Sequence, residues 1–200
     1  MSHTATNIID LVFDLEGQML TADYPFELWD TLCQLVPALS DNPNIGVLPL
    51  RSIEQSVTAS LPKRAKLVLR IPSDLADTAA ALSGRQLNVS GSQLKLGAWK
   101  HRAIKYYPTI HAQLVTGDAD EMRFIDEINQ QFTQMGISGK IICGKRHTLN
   151  GPARQINGYS LVLHDLTPEA SMKLQHHGLG ESRQFGCGIF VPYKVISSLE

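Results

Sequence analysis

The chain has 200 residues, of which 43% are hydrophobic and 18% charged, and its net charge at pH 7 is −1. That length suits one large domain or two small ones with a buried core, and the composition excludes a disordered polyelectrolyte. A net charge so near zero also excludes a global basic field, so a polyanion partner has to be met by local charge.

Residues 7–16, NIIDLVFDLE, mix β-branched and aromatic side chains with partial alternation, which predicts a strand. Pro25 opens a helix that places Phe26, Trp29, Leu32, Cys33 and Val36 on one face and ends at Pro37. Two strands are expected at 45–50 and 66–71. Ser73 is placed to cap a helix over 74–83, with Gly84 as its stop. Residues 86–97 predict a long strand or a hairpin turning at SGS. The same order then recurs. A strand at 109–116 leads to a helix capped by Asp118, carrying Ile125, Ile128, Phe132 and Met135, and closed by Gly136. Two strands, 139–149 and 156–166, flank the polar turn NGPARQ. Thr167-Pro168-Glu169 starts a short helix that Gly178 ends, and FGCGIFV reads as the last strand. The expected fold class is α+β, with tandem ferredoxin-like (RRM-like) βαββαβ units and antiparallel sheets. The boundary falls in the basic, aromatic segment 99–108, giving domains 1–100 and 101–200, the second with a basic hairpin and a glycine-rich loop.

Charge is unevenly spread along this pattern. No Lys or Arg precedes Arg51, whereas 51–110 hold ten against three acids, and 138–194 hold seven against Asp165, Glu169 and Glu181. Two basic segments on a near-neutral chain permit a local polyanion site. Cys33, Cys143 and Cys187 are isolated and form no CxxC pair, which argues against a disulfide framework or a zinc site and fits a reducing compartment. The N-terminus lacks a basic n-region followed by an apolar h-region, and no window approaches the apolar length of a membrane span. A cytoplasmic protein with no membrane partner is expected.

Three stretches carry candidate chemistry. In GLGESRQFGCGIFVPYK, residues 178–194, Gly178, Gly180, Gly186 and Gly188 let backbone amides approach phosphate oxygens, and Arg183 and Lys194 add charge. It lacks the GK[ST] of a phosphate-binding loop, and on spacing alone a capped helix followed by a bulged strand describes it better. In CGKRHTLNGPARQ, Lys145, Arg146, His147 and Arg154 lie on two strands and their connection, as in a basic ribbon that lies along a nucleic-acid groove; a solvated hairpin tip is the plainer alternative. Of the seven histidines, His147 alone joins an expected exposed position to neighbouring phosphate-binding charge, making it the candidate general base. Trp99, Tyr106 and Tyr107 interleave with Lys100, Arg102 and Lys105, a pattern equally suited to stacking bases or to packing. No His, Asp or Glu set has metal-ligand spacing, so neither metal nor cofactor is expected.

The tandem pattern ending in GLGESRQFGCGIFVPYK resembles the RNA-processing endoribonucleases of CRISPR systems, in the repeat-associated mysterious protein (RAMP) superfamily, and most of all its short MYXAN-like subtype. The resemblance rests on Gly178-Leu179-Gly180, Arg183, Phe185-Gly186-Cys187-Gly188 and Val191-Pro192, with NIGVLPL, KLVLRIP, KLGAWK and MGISGK following in the family's order. It implies that the chain binds CRISPR repeat RNA, often as a stem-loop, and cuts the long transcript into guide RNAs. It also implies other subunits of a CRISPR effector complex as partners. In the family, cleavage needs no metal: a 2′-hydroxyl attacks the adjacent phosphate, leaving a cyclic phosphate and a 5′-hydroxyl. Many relatives carry the catalytic histidine at or just after the first helix. Here that stretch reads Leu39-Ser40-Asp41-Asn42-Pro43-Asn44. Either His147, His101 or a tyrosine does the acid–base work, or this member cuts slowly or not at all and holds guide RNA as a subunit.

Overall fold

A computed structural model describes residues 7–51, 53–55 and 58–193, so that His3 and Lys194 lie outside the described residues. The chain separates into two compact units that are not contiguous in sequence. The first is Met1–Ile104 with Leu149–Ile156 and Ser182–Gly186; the second is Lys105–Thr148, Asn157–Glu181 and Cys187–Glu200. A division into 1–100 and 101–200 has no such insertions. Sequence is read in order, whereas a hairpin tip or loop joins whichever core its side chains reach.

In the first unit, β1 (Ile8–Glu16) is central, with β6 (Lys66–Pro72) and β8 (Ser92–Ala103) antiparallel on its two sides. β3 (Gly46–Val47) and β7 (Gln86–Val89) lie at the edges, giving the order β3-β6-β1-β8-β7. Leu11 stands opposite Leu69 and Phe13 opposite Leu67, and all four are inaccessible to solvent. Over them packs α1 (Tyr24–Leu35), which starts with Pro25 in its first turn, where the missing N–H costs nothing, and buries Phe26, Leu28 and Leu32. β2 (Met19–Thr21), β4 (Ile53–Gln55) and β5 (Thr58–Ser60) make a separate three-stranded sheet.

Two expectations for this unit are corrected. The strand over 45–50 pairs only at Gly46–Val47, with one further bond from the Leu48 amide to the Val68 carbonyl (2.9 Å). Pro49 has no N–H to continue the ladder. The helix over 74–83 is broken into a 3-10 turn Ser73–Leu75, α2 (Ala76–Ala79) and a 3-10 turn Ala80–Leu82. Ser73 makes no cap bond, because the turn begins one residue earlier and takes the serine inside it. The hairpin at Ser90-Gly91 forms as expected.

Tyr24 ties α1 to the chain after β3. Its hydroxyl accepts a hydrogen bond from the Leu50 amide at 2.9 Å, and burial, only partly offset by that bond, pushes its pKa up to about 12. A phenol harder to ionise when folded stabilises the fold fully below about pH 10, the unfolded value, and that contribution of about 2–3 kcal/mol is lost between about pH 10 and 12. Urea unfolding across this range should show a decline that Tyr24→Phe removes.

The second unit runs β9 (Ile110–Thr116), α3 (Glu121–Met135), β10 (Lys140–Asn150), β11 (Gln155–His164), α4 (Pro168–His177) and β12 (Val191–Pro192), with sheet order β10-β11-β9-β12. Its core joins Ile110, Ala112, Phe124, Ile128, Phe132, Leu161, Leu163, Leu174 and Phe190. Two details differ from expectation. The cap of α3 is Asp120, whose carboxylate accepts from the Arg123 amide at 3.0 Å, while Asp118 accepts from the Asp120 amide at 2.8 Å. The last strand is confined to Val191–Pro192, opposite Ile110 and His111. Gly136, in the left-handed region, and Thr167, accepting from the Ala170 amide, end α3 and begin α4 as expected. Each unit thus has the βαββαβ order and the strand arrangement of a ferredoxin-like fold. Among the described residues no helix is long and apolar enough to cross a membrane.

Candidate functional site

The glycine-rich segment folds into a loop in which all four glycine amides are engaged. The Gly178 amide donates to the Leu174 carbonyl (2.8 Å), Gly180 to Gln131 Oε1 (3.4 Å), Glu181 to Thr116 Oγ1 (2.7 Å), Gly186 to the Arg183 carbonyl (3.0 Å) and Gly188 to the Leu114 carbonyl (2.7 Å). The four glycine amides named for a phosphate cradle are thus hydrogen-bonded within the protein, in keeping with the capped helix end that the spacing also offered. Glycine is needed here for close approach. At Gly188, φ is +66° and a Cβ would stand 2.0 Å from the Leu179 carbonyl oxygen; at Gly180, φ is +69° and a Cβ would stand 2.5 Å from Thr116 Oγ1. Gly188→Ala should cost the second unit about 3 kcal/mol or more, from left-handed strain plus that clash. Gly84→Ala, at φ +78° in open space, should cost about 1 kcal/mol, and urea midpoints compare the two.

Between Ser182 and Gly186, both left-handed, Arg183–Phe185 form a 3-10 turn that packs against α1 and β3 in the first unit. Arg183 is only 7% exposed, and burial followed by repulsion from Arg70 lowers its pKa to about 10, leaving it a cation at neutral pH. Arg70 is itself 2% exposed and is held by Asp10, with Nε 2.8 Å from Oδ1 and Nη2 3.2 Å from Oδ2. Arg102 reaches the same carboxylate from β8, Nη2 to Oδ2 at 2.9 Å, with about half its side chain in solvent. The strand register creates this group, since Asp10 of β1 lies opposite both Arg70 of β6 and Arg102 of β8. Sequence reasoning missed it. Its signal was a carboxylate and a guanidinium set in otherwise apolar strands, IIDLVF and LVLRIP.

The hairpin of β10 and β11 contains no carboxylate from Lys140 to His164. At its base Lys140 pairs with Asp165 at 2.8 Å. Lys145, Arg146 and His147 occupy consecutive exposed positions of β10, in the second unit. Among the described residues no carboxylate stands within ion-pair distance of Lys145, Arg146 or Arg154. Arg154 sits in the connection, which belongs to the first unit with Arg183 and Gly186, while Gly178, Gly180 and Gly188 belong to the second. Its guanidinium lies 4.5 Å from the Phe185 ring centre.

Three other histidines are engaged. His101 stacks on Trp99 (5.3 Å between rings), His111 meets the edge of Tyr193 (5.3 Å), and His164 Nδ1 is 3.1 Å from Thr109 Oγ1. The stretch after α1 folds into a 3-10 turn, Pro37–Leu39, followed by turns in which Ser40 Oγ donates to the Pro37 carbonyl (2.7 Å) and Asn42 Oδ1 accepts from the Asn44 amide (2.9 Å). The Ser40 hydroxyl proton is thereby committed inside the turn. No group of three or more His, Cys, Asp or Glu stands together for a metal among the described residues.

Comparison with known proteins agrees with this architecture. The Cas6 CRISPR family model matches residues 9–195. The CRISPR-associated endonuclease Cas6 of Myxococcus xanthus (strain DK1622) is 29% identical over 186 residues, covering 92% of this chain and 81% of that protein. Among solved structures, a CRISPR-associated Cas6 protein superposes with a TM-score of 0.65 at 8% identity, covering 94% of this chain and all of the other. A RAMP protein described as binding different RNA substrates gives 0.64 at 13% identity, over 91% of this chain and 98% of its own. A CRISPR endoribonuclease, Cse3, bound to a 19-nucleotide RNA gives 0.53 at 12%, over 92% and 98%. The structural likenesses carry the double ferredoxin-like fold, and the sequence match across nearly the whole chain carries the descent: this protein belongs to the Cas6 family of CRISPR-associated proteins.

Proposed function

We infer that this chain binds CRISPR repeat RNA, as a stem-loop, and cuts the precursor transcript at one position into guide RNAs. The observation that carries the reading is the carboxylate-free hairpin with Lys145 and His147 exposed on one face of β10 and Arg146 exposed on the other, in a member of a family with a named endonuclease. A like-fold protein solved with a 19-nucleotide RNA supports RNA as the ligand. Phosphate contacts are assigned to Lys145, Arg146 and Lys194, with Arg154 at the hairpin tip, whereas Arg183 is buried and is not assigned one. His147 takes the proton from the 2′-hydroxyl, whose oxygen attacks the adjacent phosphorus. The bond to the 5′ oxygen breaks and that oxygen takes up a proton from solvent, leaving a cyclic phosphate and a 5′-hydroxyl, and nearby cations stabilise the charge gathering on the phosphorane. No resident metal or cofactor is assigned.

One observation favours a second reading, an RNA-holding subunit of an effector complex that cuts weakly or not at all: residues 39–44 contain no histidine. A single experiment separates the two. The protein is incubated in EDTA with labelled repeat RNA of its own locus, and with the same RNA carrying 2′-deoxyribose at the cleavage site. Cutting of the all-ribose RNA alone supports the metal-independent nuclease. Tight binding without cutting of either supports the holding subunit. Absence of both binding and cutting overturns both.

A further inference from the structure

Arg154 differs from the other cations of the hairpin in what lies beneath it. Its turn is closed by the Gly151 amide donating to the Arg154 carbonyl at 2.8 Å and by Gln155 Nε2 donating to Asn150 Oδ1 at 2.7 Å. Gly151 lies against the Phe26 ring, where a Cβ would stand 2.7 Å from Cε2 and Cζ. Phe26 packs on Phe185 with ring centres 4.7 Å apart. Arg154 Cζ lies over both rings, 4.5 Å from the centre of Phe185 and 5.9 Å from that of Phe26. Arg154 nonetheless remains exposed.

We propose that Arg154 is a stacking platform for one unpaired base of the bound RNA. The proposal rests on the RNA-binding reading above. A phosphate contact needs a charge and N–H donors within reach, and a flexible lysine supplies them. A guanidinium held over an aromatic ring gives something further: a flat, weakly hydrated cation whose orientation is set before the ligand arrives. With one side on Phe185 and Phe26 and the residue open to solvent, its other side suits a base, since guanidinium planes stack on unstacked bases in RNA recognition. Bases inside a duplex are covered on both faces by their neighbours. The occupant is therefore an unpaired nucleotide, in the loop or flanking the stem, and any base serves because every base has a π-face.

The test uses the full chain and its own repeat RNA, intact and as a series with single abasic sites at each unpaired position. At one such position the abasic RNA should bind the natural protein between about five and about 150 times more weakly, the range that one stacked base is worth. Arg154→Lys, which keeps the charge but loses the plane, should bind intact RNA more weakly by a similar factor. It should show no further loss with that abasic RNA, and the slope of affinity against salt should be unchanged. Equal affinity of Arg154→Lys and the natural protein would overturn the proposal, as would an abasic series that costs both proteins alike. The abasic series on the natural protein decides the matter even if a variant folds poorly: without a sensitive unpaired position the platform is wrong. Failure of the natural protein to bind intact repeat RNA overturns the RNA reading itself, and the platform with it; binding without coupling overturns the platform alone.

Discussion

Replacing His147 by alanine should slow cleavage of repeat RNA by about two to four orders of magnitude, the usual contribution of one positioned proton-transfer group. Affinity for a 2′-deoxy, uncleavable RNA should change by less than about threefold, because the lysines and arginines supply most of the charge that holds a polyanion. The comparison variant is His101→Ala. His101 is stacked on Trp99 in β8, and its loss should leave the rate within about twofold. Single-turnover rates with excess protein read the chemical step apart from product release. Full activity in His147→Ala sinks the assignment of the base. Loss of RNA binding in the same variant would make His147 a contact instead of a base.

Asp10→Ala should destabilise the first unit by about 3–5 kcal/mol, because it leaves two guanidiniums without their shared carboxylate. Asp10 is 3% exposed and Arg70 2% exposed, so water cannot replace the missing partner. Arg102→Ala should cost about 1 kcal/mol or less, since about half of that side chain is already in solvent. Chemical denaturation monitored at the tryptophans Trp29 and Trp99, both of which pack against the first unit's core, reads this unit directly. The double variant Asp10→Leu with Arg70→Met should recover most of the loss, because removing both charges removes the uncompensated one. A single Asp10→Ala variant as stable as the natural chain would show that the carboxylate is not what allows Arg70 to be buried.

Much of the architecture was legible because local chemistry and packing agree. Leu32 and Phe132 recur at helical spacing and are buried, Pro25 and Thr167 start helices, and Gly136 and Gly178 end them at positive φ. The misread segments are those where a local preference met a competing constraint. Pro49 cuts short a strand that Ile45–Leu50 composition favours. Ser73, a good cap in isolation, is drawn into the turn that follows Pro72. The FGCGIFV run is apolar enough for a strand, yet positive φ at Gly186 and Gly188 keeps all but its end out of the sheet.

The candidate site divides in the same way. The positive charge of the hairpin and its lack of acids are properties of sequence, since neighbours in a strand stay neighbours. So is the family pattern from Gly178 to Pro192. The Asp10 cluster depends on register, which pairs residues about sixty and ninety positions apart across two strand edges. The stack of Arg154 on Phe185 and Phe26 depends on three segments meeting: the start of a helix, the tip of a hairpin and a glycine-bounded turn. By itself the sequence determined the two βαββαβ patterns, the family and the kind of ligand the charge favours, because periodicity, turn residues and charge act over a few residues. Only the tertiary structure decided that the glycine amides are spent internally, that Arg183 is buried beside Arg70 and that Arg154 rests on aromatic rings, because burial and contact are set by what packs from far along the chain.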